Sequence, residues 1–459
     1  MSVSLTMTET QYAGLAAHLF PSDGNEAVAI ALCGRAASAE RHRLIVRKVE
    51  LVPYEACSVR RPDRVTWPTD LLVPLLEEAS RYKLALVKLH GHTGYDRFSE
   101  VDDRSDRALF TSVYAWTDTS APHGSAILMR DGRVFGRTVA EDGAFTDFAH
   151  TTIVGDNIER YGGHASSAHI PEFGRRVAQS FGAGTFQKLR ELKIGVVGCS
   201  GTGSVVVEQL ARNCIGQLVL VDPDHVEEKN LNRVLNATIE DARSRVNKTH
   251  LAQRTIEAMG LGTKVKAFPR DLFDVAVVRE LASCDVLFGC MDTVDGRFLL
   301  NKLATFYAIP YLDLGVKIEA DGRGGVDQVC GSVHYLKPGG SSLLSRHTFT
   351  MEQVRSAGLR RTDPKHFADL LEQGYIHGVT EDRPAVIQLN AMIASYAVNE
   401  LLARLHPYRS APNGDFAVTR VSLSHGFVAH ERDGDACPVL VRHVGRGDVN
   451  PLLDWAELS

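Results

Sequence analysis

The sequence lacks the features of several protein classes. Its eight cysteines include no C-x-x-C pair, so a disulfide framework and a cysteine-ligated structural zinc are both disfavoured. No apolar run reaches the roughly 18 to 20 residues of a membrane span, and the start MSVSLTMTET lacks the basic and then apolar order of a signal peptide. We therefore expect a cytoplasmic protein that has no membrane partner.

Neither sign of charge dominates the chain. Lys and Arg total 51 against 56 Asp and Glu, and the net charge of -5 argues against a polybasic nucleic-acid surface. No repeat or low-complexity tract interrupts the chain. Its 459 residues, 44% of them apolar, suffice for two or three globular domains at about 150 residues each.

Local patterns divide the chain into segments. The first segment alternates short β-like runs with one helical stretch, residues 68–82, and is therefore α+β. Later in the chain, apolar strands alternate with helices, which predicts a parallel sheet covered on both faces. The predicted boundaries are 1–150 for the α+β domain, 151–190 for a linker and arm, 191–435 for the α/β domain with a crossover loop over 338–384, and 436–459 for a C-terminal tail.

A glycine-rich turn follows the first apolar strand of the α/β domain. Gly198, Gly201 and Gly203, in GCSGTGS, stand between the strand KIGVV and a helix. In this context backbone N–H groups and the helix dipole face a phosphate. Asp222 ends the next strand, about 20 residues further on, where a carboxylate accepts hydrogen bonds from ribose hydroxyls. These residues alone are compatible with a dehydrogenase.

The polar residues that follow resemble those of the ThiF/MoeB/HesA and ubiquitin-activating enzyme family. The residues that carry this resemblance are Asn230, Arg233, Lys248, Asp292, Arg297 and Asn301. Members of the family activate the C-terminal glycine carboxylate of a ubiquitin-fold protein as an acyl-adenylate. The resemblance therefore implies a Rossmann-like, doubly wound adenylation domain with a crossover loop insertion, and ATP and Mg²⁺ as cofactors.

The resemblance also implies roles for single residues. It assigns the ATP ribose to Asp222, the phosphates to Asn230 and Arg233, the triphosphate to Lys248, and Mg²⁺ to Asp292. Screening by Arg, Lys and Mg²⁺ is what a carboxylate needs when it attacks the α-phosphate. In the arm before the first strand, Arg175 or Arg176 is placed to reach the nucleotide of a partner subunit, so a homodimer is expected.

The crossover segment carries serines where many relatives have cysteines. Ser342 and Ser345 have C-x-x-C spacing, and because serine is not a workable zinc ligand we expect no family zinc there. Either the adenylate passes directly to a nucleophile on another protein, or a serine forms an oxyester with His347 nearby as a base. The other alternative is that Ser341, Ser342 and Ser345 simply belong to a flexible polar loop. Cys330 and Cys437 are the remaining thiol candidates.

An H-x-H sequence lies in the first domain. His90 and His92 follow the strand LALVKL, Ser99 and Asp102 form S-x-x-D, and Glu26 precedes an upstream strand. This set resembles the JAB/MPN (JAMM) zinc peptidases, which include deubiquitinases. The resemblance implies an N-terminal JAB/MPN-like domain.

The same resemblance implies the chemistry of that domain. His90, His92 and Asp102 would hold Zn²⁺, Glu26 would take a proton from the zinc-bound water, and Ser99 would steady the oxyanion. Thr93 replaces the proline of the family motif and the loop is one residue short, so Asp103 is an alternative to Asp102. The alternatives to an active peptidase are an inactive docking domain and a chance H-x-H.

Together the two resemblances predict an enzyme of a bacterial ubiquitin-like conjugation pathway. Its partners would be a ubiquitin-like protein with a C-terminal glycine and a conjugating-enzyme-like protein, and no nucleic acid. One alternative is activation of a sulfur carrier in thiamin or molybdopterin synthesis, although no persulfide cysteine is evident. The other is a scaffold that only binds a ubiquitin-like protein.

Overall fold

A computed structural model describes residues 1–162, 170–321, 323, 325–372 and 386–459. The strands are β1 Ser2–Thr8, β2 Val28–Ala37, β3 Arg41–Leu51, β4 Val59–Arg61, β5 Arg64–Thr66, β6 Ala85–His92, β7 His123–Met129, β8 Val134–Val139, β9 Phe145–Asp147, β10 His150–Val154, β11 Ile158–Gly162, β12 Lys193–Val197, β13 Gln217–Val221, β14 Lys264–Phe268, β15 Val286–Gly289, β16 Tyr311–Ala320, β17 Val326–Leu336, β18 Val418–Ser422 and β19 Phe427–Glu431. The α-helices are α1 Glu9–Leu19, α2 Val73–Tyr82, α3 Glu100–Thr117, α4 Arg175–Phe181, α5 Ala183–Glu191, α6 Gly201–Arg212, α7 Ile239–Arg243, α8 Lys248–Met259, α9 Val275–Leu281, α10 Val294–Phe306, α11 Met351–Thr362, α12 Pro364–Glu372 and α13 Ile387–Leu405.

The described chain divides into two compact units. The first holds residues up to 162 together with Phe306–Ala308 and His443–Asn450, and the second holds the remainder. No described helix has the combination of length and hydropathy that crossing a membrane requires.

The first unit is built on a mixed sheet of nine strands in the order β11-β10-β1-β3-β2-β6-β7-β8-β9. All eight residues of β6 are buried, including His90 and His92. The sheet continues to Gly162, because β10 pairs with β1 and β11 pairs with β10. Half-polar strands such as HTTIV lack a continuous apolar run, which is why this part of the chain resembles a linker in sequence.

The first unit contains more helix than its sequence pattern indicates. Helix α3 begins after Ser99. Its buried residues recur at helical spacing, but the charged first turn makes this pattern difficult to recognise in the sequence; they include Phe110, Val113, Tyr114 and Thr117. Helix α2 begins at Val73, later than the predicted start at residue 68, because Thr69–Leu72 forms a 3₁₀ turn ahead of it.

The second unit contains an eight-stranded sheet in the order β14-β13-β12-β15-β16-β17-β18-β19. The five neighbouring strands β14, β13, β12, β15 and β16 are parallel, which confirms the predicted Rossmann-like core. Strands β17, β18 and β19 extend the sheet in antiparallel orientation, which the sequence did not predict. After β12 the chain forms β13 and β14 on one side of it, and then crosses to β15 on the other side. The crevice at the carboxyl ends of β12 and β15 is therefore a topological switch point, where such sheets bind ligands.

The predicted crossover loop and tail contain ordered structure. Helices α11 and α12 lie within the predicted loop, and its last residues, 373–384, lie outside the described residues. In the predicted tail, Cys437, Leu440, Leu452 and Leu453 are buried, so this segment packs into the fold.

Candidate functional site

The glycine-rich turn lies against the carboxyl end of β15. Gly198 has φ +91°, and a Cβ atom there would lie 2.7 Å from the carbonyl oxygen of Cys290. At Gly203 a Cβ would lie 1.8 Å from the carbonyl oxygen of Gly198. Glycine is therefore required at both positions for the turn to close onto α6. The first turn of α6 is left facing the switch point, as a phosphate site requires.

Asp222 holds this turn in place. Its Oδ2 accepts a hydrogen bond from the backbone N–H of Cys199 at 2.7 Å, and its Oδ1 accepts one from the N–H of Asp224 at 2.9 Å. The side chain is buried, and burial raises the pKa of this carboxyl above its ordinary value. Both oxygens are thus engaged with the backbone in this structure.

Two cationic side chains lie beside the turn. A Cβ at Gly201 would lie 3.1 Å from Cδ of Arg233, so Arg233 packs across the start of α6. Its Nη1 donates to the carbonyl oxygen of Lys229 at 2.7 Å. Lys248, the first residue of α8, is buried and donates from Nζ to Oδ2 of Asp224 at 2.8 Å. An incoming triphosphate would have to compete with Asp224 for this amine.

The other predicted nucleotide residues differ in exposure. Asn230 is buried, and its Oδ1 accepts a hydrogen bond from the N–H of Glu227 at 3.0 Å. Asp292 is exposed between β15 and α10, and in the described part of the chain no hydrogen bond engages its carboxylate. Arg176 is exposed on α4 and donates to Gln179 Oε1 at 3.2 Å.

Asn390 is a polar residue at this site that motif reasoning missed. It lies on α13, is buried, and its Oδ1 accepts a hydrogen bond from Thr202 Oγ1 at 3.2 Å. A Cβ at Gly201 would lie 2.2 Å from its Nδ2. The available sequence signal was weak, because Asn390 and Gln388 are both amides in the first turn of α13 and neither belongs to a recognised motif.

Ser342 and Ser345 form a closed turn. Ser345 Oγ accepts from the N–H of Ser342 at 2.9 Å, and Ser342 Oγ accepts from the N–H of Ser345 at 3.1 Å. The backbone N–H of Leu343 donates to Asn301 Oδ1 at 3.0 Å, which ties the turn to α10. Ser342 is buried and His347 is exposed. Both hydroxyls thus have structural partners, in contrast to the flexible polar loop that was one of the predicted alternatives.

In the first unit, the H-x-H residues meet an aspartate from α3. His90 Nε2 lies 3.1 Å from His92 Nε2 and 3.1 Å from Asp102 Oδ1, and His92 Nε2 lies 3.8 Å from Asp102 Oδ2. Among the described residues, these are the one group of three or more potential metal ligands. Asp103 is directed elsewhere and accepts from Arg137 Nη1 at 2.6 Å, so the geometry favours Asp102 over Asp103.

The remaining atoms of this cluster bear on its protonation. His92 Nδ1 lies 3.1 Å from the carbonyl oxygen of Tyr95, and a proton there leaves Nε2 with a free lone pair. His90 Nδ1 is buried without a hydrogen-bond partner. Burial alone would raise the pKa of Asp102, but hydrogen bonds from His90 and Ser99 and the charge of His90 hold it below its ordinary range.

Glu26 lines a cavity of about 630 Å³ together with His90 and Asp102. Burial, reinforced by the negative charge of Asp102, raises the pKa of Glu26 to about 7. The same cavity reaches the apolar side chains of Trp67 and Trp116. Ser99 also lines it, but its hydroxyl donates to Asp102 Oδ2 at 2.7 Å. The predicted oxyanion donor is thus engaged with the predicted ligand.

The chain is similar to several known proteins. A family model described as "ThiF family" matches residues 173–431. Ubiquitin-like modifier-activating enzyme 5 of Drosophila willistoni is 24% identical over 172 residues, covering 35% of this chain and 40% of the relative. Adenylyltransferase and sulfurtransferase MOCS3 of Drosophila virilis is 29% identical over 155 residues, covering 34% of each. The chain thus spans two fifths or less of these relatives.

The chain is also similar to solved structures. The crystal structure of E. coli MccB with ATP matches at 17% identity and a TM-score of 0.44, over 59% of this chain and 74% of that one. The family model covers more than half of the present chain, including the glycine-rich turn, Asp222, Lys248 and Asp292. The chain belongs to the ThiF family.

Proposed function

We propose that the second unit adenylates the C-terminal carboxylate of a ubiquitin-like protein at the expense of ATP. The observation that carries the proposal is the arrangement at the switch point. The start of α6 points its N–H groups into the crevice, Arg233 packs across it, Lys248 lies on Asp224 beside it, and Asp292 is exposed at its edge.

These residues suit the chemistry of adenylation. A carboxylate oxygen forms a bond to the α-phosphorus while the bond to pyrophosphate breaks, giving an acyl-adenylate and free pyrophosphate. Both reactants are anions, so the reaction needs positive charge and N–H donors at the phosphates. Arg233, Lys248 and the start of α6 supply them, and the free carboxylate of Asp292 suits the magnesium ion that accompanies ATP.

The proposed acceptor is a conjugating-enzyme-like protein. Cys199 and Cys290 lie at the nucleotide turn, but burial raises the pKa of both thiols and disfavours the thiolate that sulfur transfer needs. We therefore keep sulfur-carrier activation as the alternative. Transfer through a Ser342 or Ser345 oxyester stays a prediction, because each hydroxyl would first have to leave its backbone partner.

ATP–pyrophosphate exchange with a glycine-terminated ubiquitin-like protein tests the adenylation proposal. Exchange that requires the C-terminal glycine would support it. The predicted homodimer is tested in the same assay by mixing Arg176→Ala with Lys248→Ala chains. If Arg176 acts on the partner's nucleotide, the mixture regains activity that neither variant has alone.

For the first unit we propose a JAB/MPN-like zinc peptidase centre. The observation that carries this second proposal is that the ligand atoms of His90, His92 and Asp102 lie within 4.8 Å of one another. Tetrahedral zinc with bonds of about 2.0–2.2 Å separates its ligand atoms by about 3.3 Å, close to the spacing found. Two imidazole nitrogens facing each other at 3.1 Å also need a cation or proton between them.

The role of each residue follows from its position. When bound, zinc would lower the pKa of a coordinated water toward neutrality. Glu26, with its raised pKa, would accept the proton and return it to the leaving amine. The Ser99 hydroxyl donates a hydrogen bond to Asp102, so its proposed role is to orient this zinc ligand.

Zinc content and cleavage of a modifier with a Gly-Gly tail test this second proposal in the full-length chain. Residues 1–150 alone would lack β11 and most of β10, so that fragment is unsuitable. Metal-free wild-type protein, purified without chelator, would favour the inactive docking domain instead.

A further inference from the structure

A buried ion pair lies beside the loop that carries Asp292. Arg297, on α10, donates from Nε to Oδ1 of Asp313 at 3.0 Å and from Nη2 to Oδ2. The Tyr311 hydroxyl donates to the same Oδ1 at 2.6 Å. Asp313 and Tyr311 are completely buried and the Arg297 side chain is 12% exposed. This two-pronged, charge-assisted contact is thus largely shielded from water.

The sheet register brings this pair next to the magnesium candidate. Asp313 is the β16 partner of Gly289, the last residue of β15. Asp292 follows in the next few residues of the chain. A Cβ at Gly289 would lie 2.4 Å from the Tyr311 hydroxyl, so Tyr311 packs directly against the strand that leads to Asp292.

Two carboxylates act on the charge of Arg297: Asp313 through direct hydrogen bonds, and Asp292 through a weaker electrostatic interaction. Burial lowers the pKa of its guanidinium, but Asp313, and more weakly Asp292, raise it above its ordinary value. With Asp313 present, the guanidinium is held by hydrogen bonds on the buried side. Without it, the electrostatic attraction between Arg297 and Asp292 would be unopposed by that hydrogen-bonded partner, and Asp292 is the carboxylate proposed for Mg²⁺.

We propose that Asp313 is a positioning residue for the magnesium step of adenylation. By holding and neutralising Arg297, it leaves the Asp292 carboxylate free to bind the magnesium of Mg·ATP. The inference rests on the proposed adenylation function and adds a residue outside the glycine-rich turn and the Asn230–Arg233 segment. Asp313 would act through Arg297, because Arg297 and Tyr311 engage both oxygens of its carboxylate.

The charge change Asp313→Asn tests this role because it preserves the size of the side chain. Freed Arg297 would then compete with Mg²⁺ for Asp292. We expect about a tenfold rise in the Mg²⁺ concentration that half-saturates ATP binding, equivalent to about 1.4 kcal/mol. ATP binding in the absence of Mg²⁺ should change by less than about twofold, whereas a merely structural role would weaken it too.

The experiment is equilibrium dialysis of ATP with the full-length chain across a magnesium titration. The double variant Arg297→Met, Asp313→Asn removes both charges and should restore the wild-type half-saturation. Tyr311→Phe, which removes one hydrogen bond from Asp313, should shift it about two- to threefold in the same direction, and it serves if Asp313→Asn does not fold.

Glu280→Gln is the matched control. Glu280 accepts from Lys193 at the amino end of β12, the opposite edge of the sheet from Gly198, and its removal should leave the magnesium dependence unchanged. A wild-type magnesium dependence in both Asp313→Asn and Tyr311→Phe would overturn the inference, as would a double variant no better than the single. If ATP binding by the wild-type protein does not depend on the Mg²⁺ concentration, that result would instead count against the proposed function.

Discussion

Ser99 and Asp102 cap the first turn of α3 reciprocally. Asp102 N–H donates to Ser99 Oγ at 3.1 Å, while the backbone N–H of Ser99 donates to Asp102 Oδ2 at 2.8 Å. This capping box engages Oδ2 and leaves Oδ1 facing His90 at 3.1 Å. The hydrogen bonds of the S-x-x-D sequence thus cap the helix and also orient Asp102, the proposed metal ligand, toward His90.

The first prediction follows from this double role. Ser99→Ala should lower zinc affinity about tenfold, because the group that orients a ligand is lost, and should cost about 1 kcal/mol of stability through the lost cap. Competition with a chromophoric zinc chelator measures the affinity. Ser99→Thr retains a capping hydroxyl and should bind zinc as the wild type does. If Ser99→Ala binds zinc as tightly as the wild type, the hydrogen bonds from Ser99 are not needed to orient Asp102.

A second prediction separates ligand from base. His92→Ala should abolish both bound zinc and peptide cleavage, whereas Glu26→Gln should abolish cleavage and keep the zinc, since Glu26 handles a proton only. Elemental analysis and a Gly-Gly tail substrate measure the two effects. Asp103→Asn is the matched control: its carboxylate pairs with Arg137, so zinc should remain at the wild-type level. Loss of zinc in Asp103→Asn would reassign the third ligand.

A third prediction concerns acid stability of the first unit. His123 is buried, its Nδ1 accepts a hydrogen bond from the Leu86 N–H, and burial lowers its pKa to about 3. The unfolded chain takes up a proton near pH 6.5 and the folded chain does not. Stability therefore falls as pH decreases from 6.5 toward 3, by about 1.4 kcal/mol per pH unit well below 6.5.

Urea unfolding at pH 7 and pH 5 checks this effect. Between these values the wild type should lose about 2 kcal/mol at this site, and His123→Gln should lack that loss while being less stable at pH 7. An identical pH response in both proteins would mean that His123 is not the titrating group.

A fourth prediction concerns the serine turn. Ser342→Ala removes the acceptor of the Ser345 N–H and should cost about 1–3 kcal/mol of stability. If an oxyester forms, its conjugate should resist dithiothreitol, yield to hydroxylamine or mild alkali, and disappear in Ser345→Ala or Ser342→Ala. A conjugate released by dithiothreitol would point to a cysteine, with Cys330 and Cys437 as the candidates.

Much of the second unit could be predicted from sequence because its signals are local. The apolar runs around β12, β13 and β15 are continuous, and the glycines occur where backbone approach demands them. The role of Asp313 could not be predicted in this way, because it depends on a strand register that places it beside Gly289. Register between distant segments leaves no local periodicity to recognise.

The first unit was harder to predict because its sequence signals overlap. The charged start of α3 contains a metal ligand, a capping residue and partners of Arg137, so it resembles a polar loop. Strands β10 and β11 lie at one edge of the sheet, where polar residues are tolerated. The H-x-H spacing on β6 was the one local signal in this unit that predicted two ligand side chains, His90 and His92, on the same face of a strand.

ATP–pyrophosphate exchange tests the central claim most directly, using the full-length protein with a ubiquitin-like partner ending in glycine. Lys248→Ala, Arg233→Ala and Asp292→Ala should each lower exchange on the order of 100-fold, equivalent to about 2.7 kcal/mol of lost transition-state stabilisation. A partner lacking its terminal glycine should support no exchange. Undiminished exchange in Asp292→Ala would contradict the magnesium assignment, and exchange independent of any carboxylate partner would contradict the adenylation account itself.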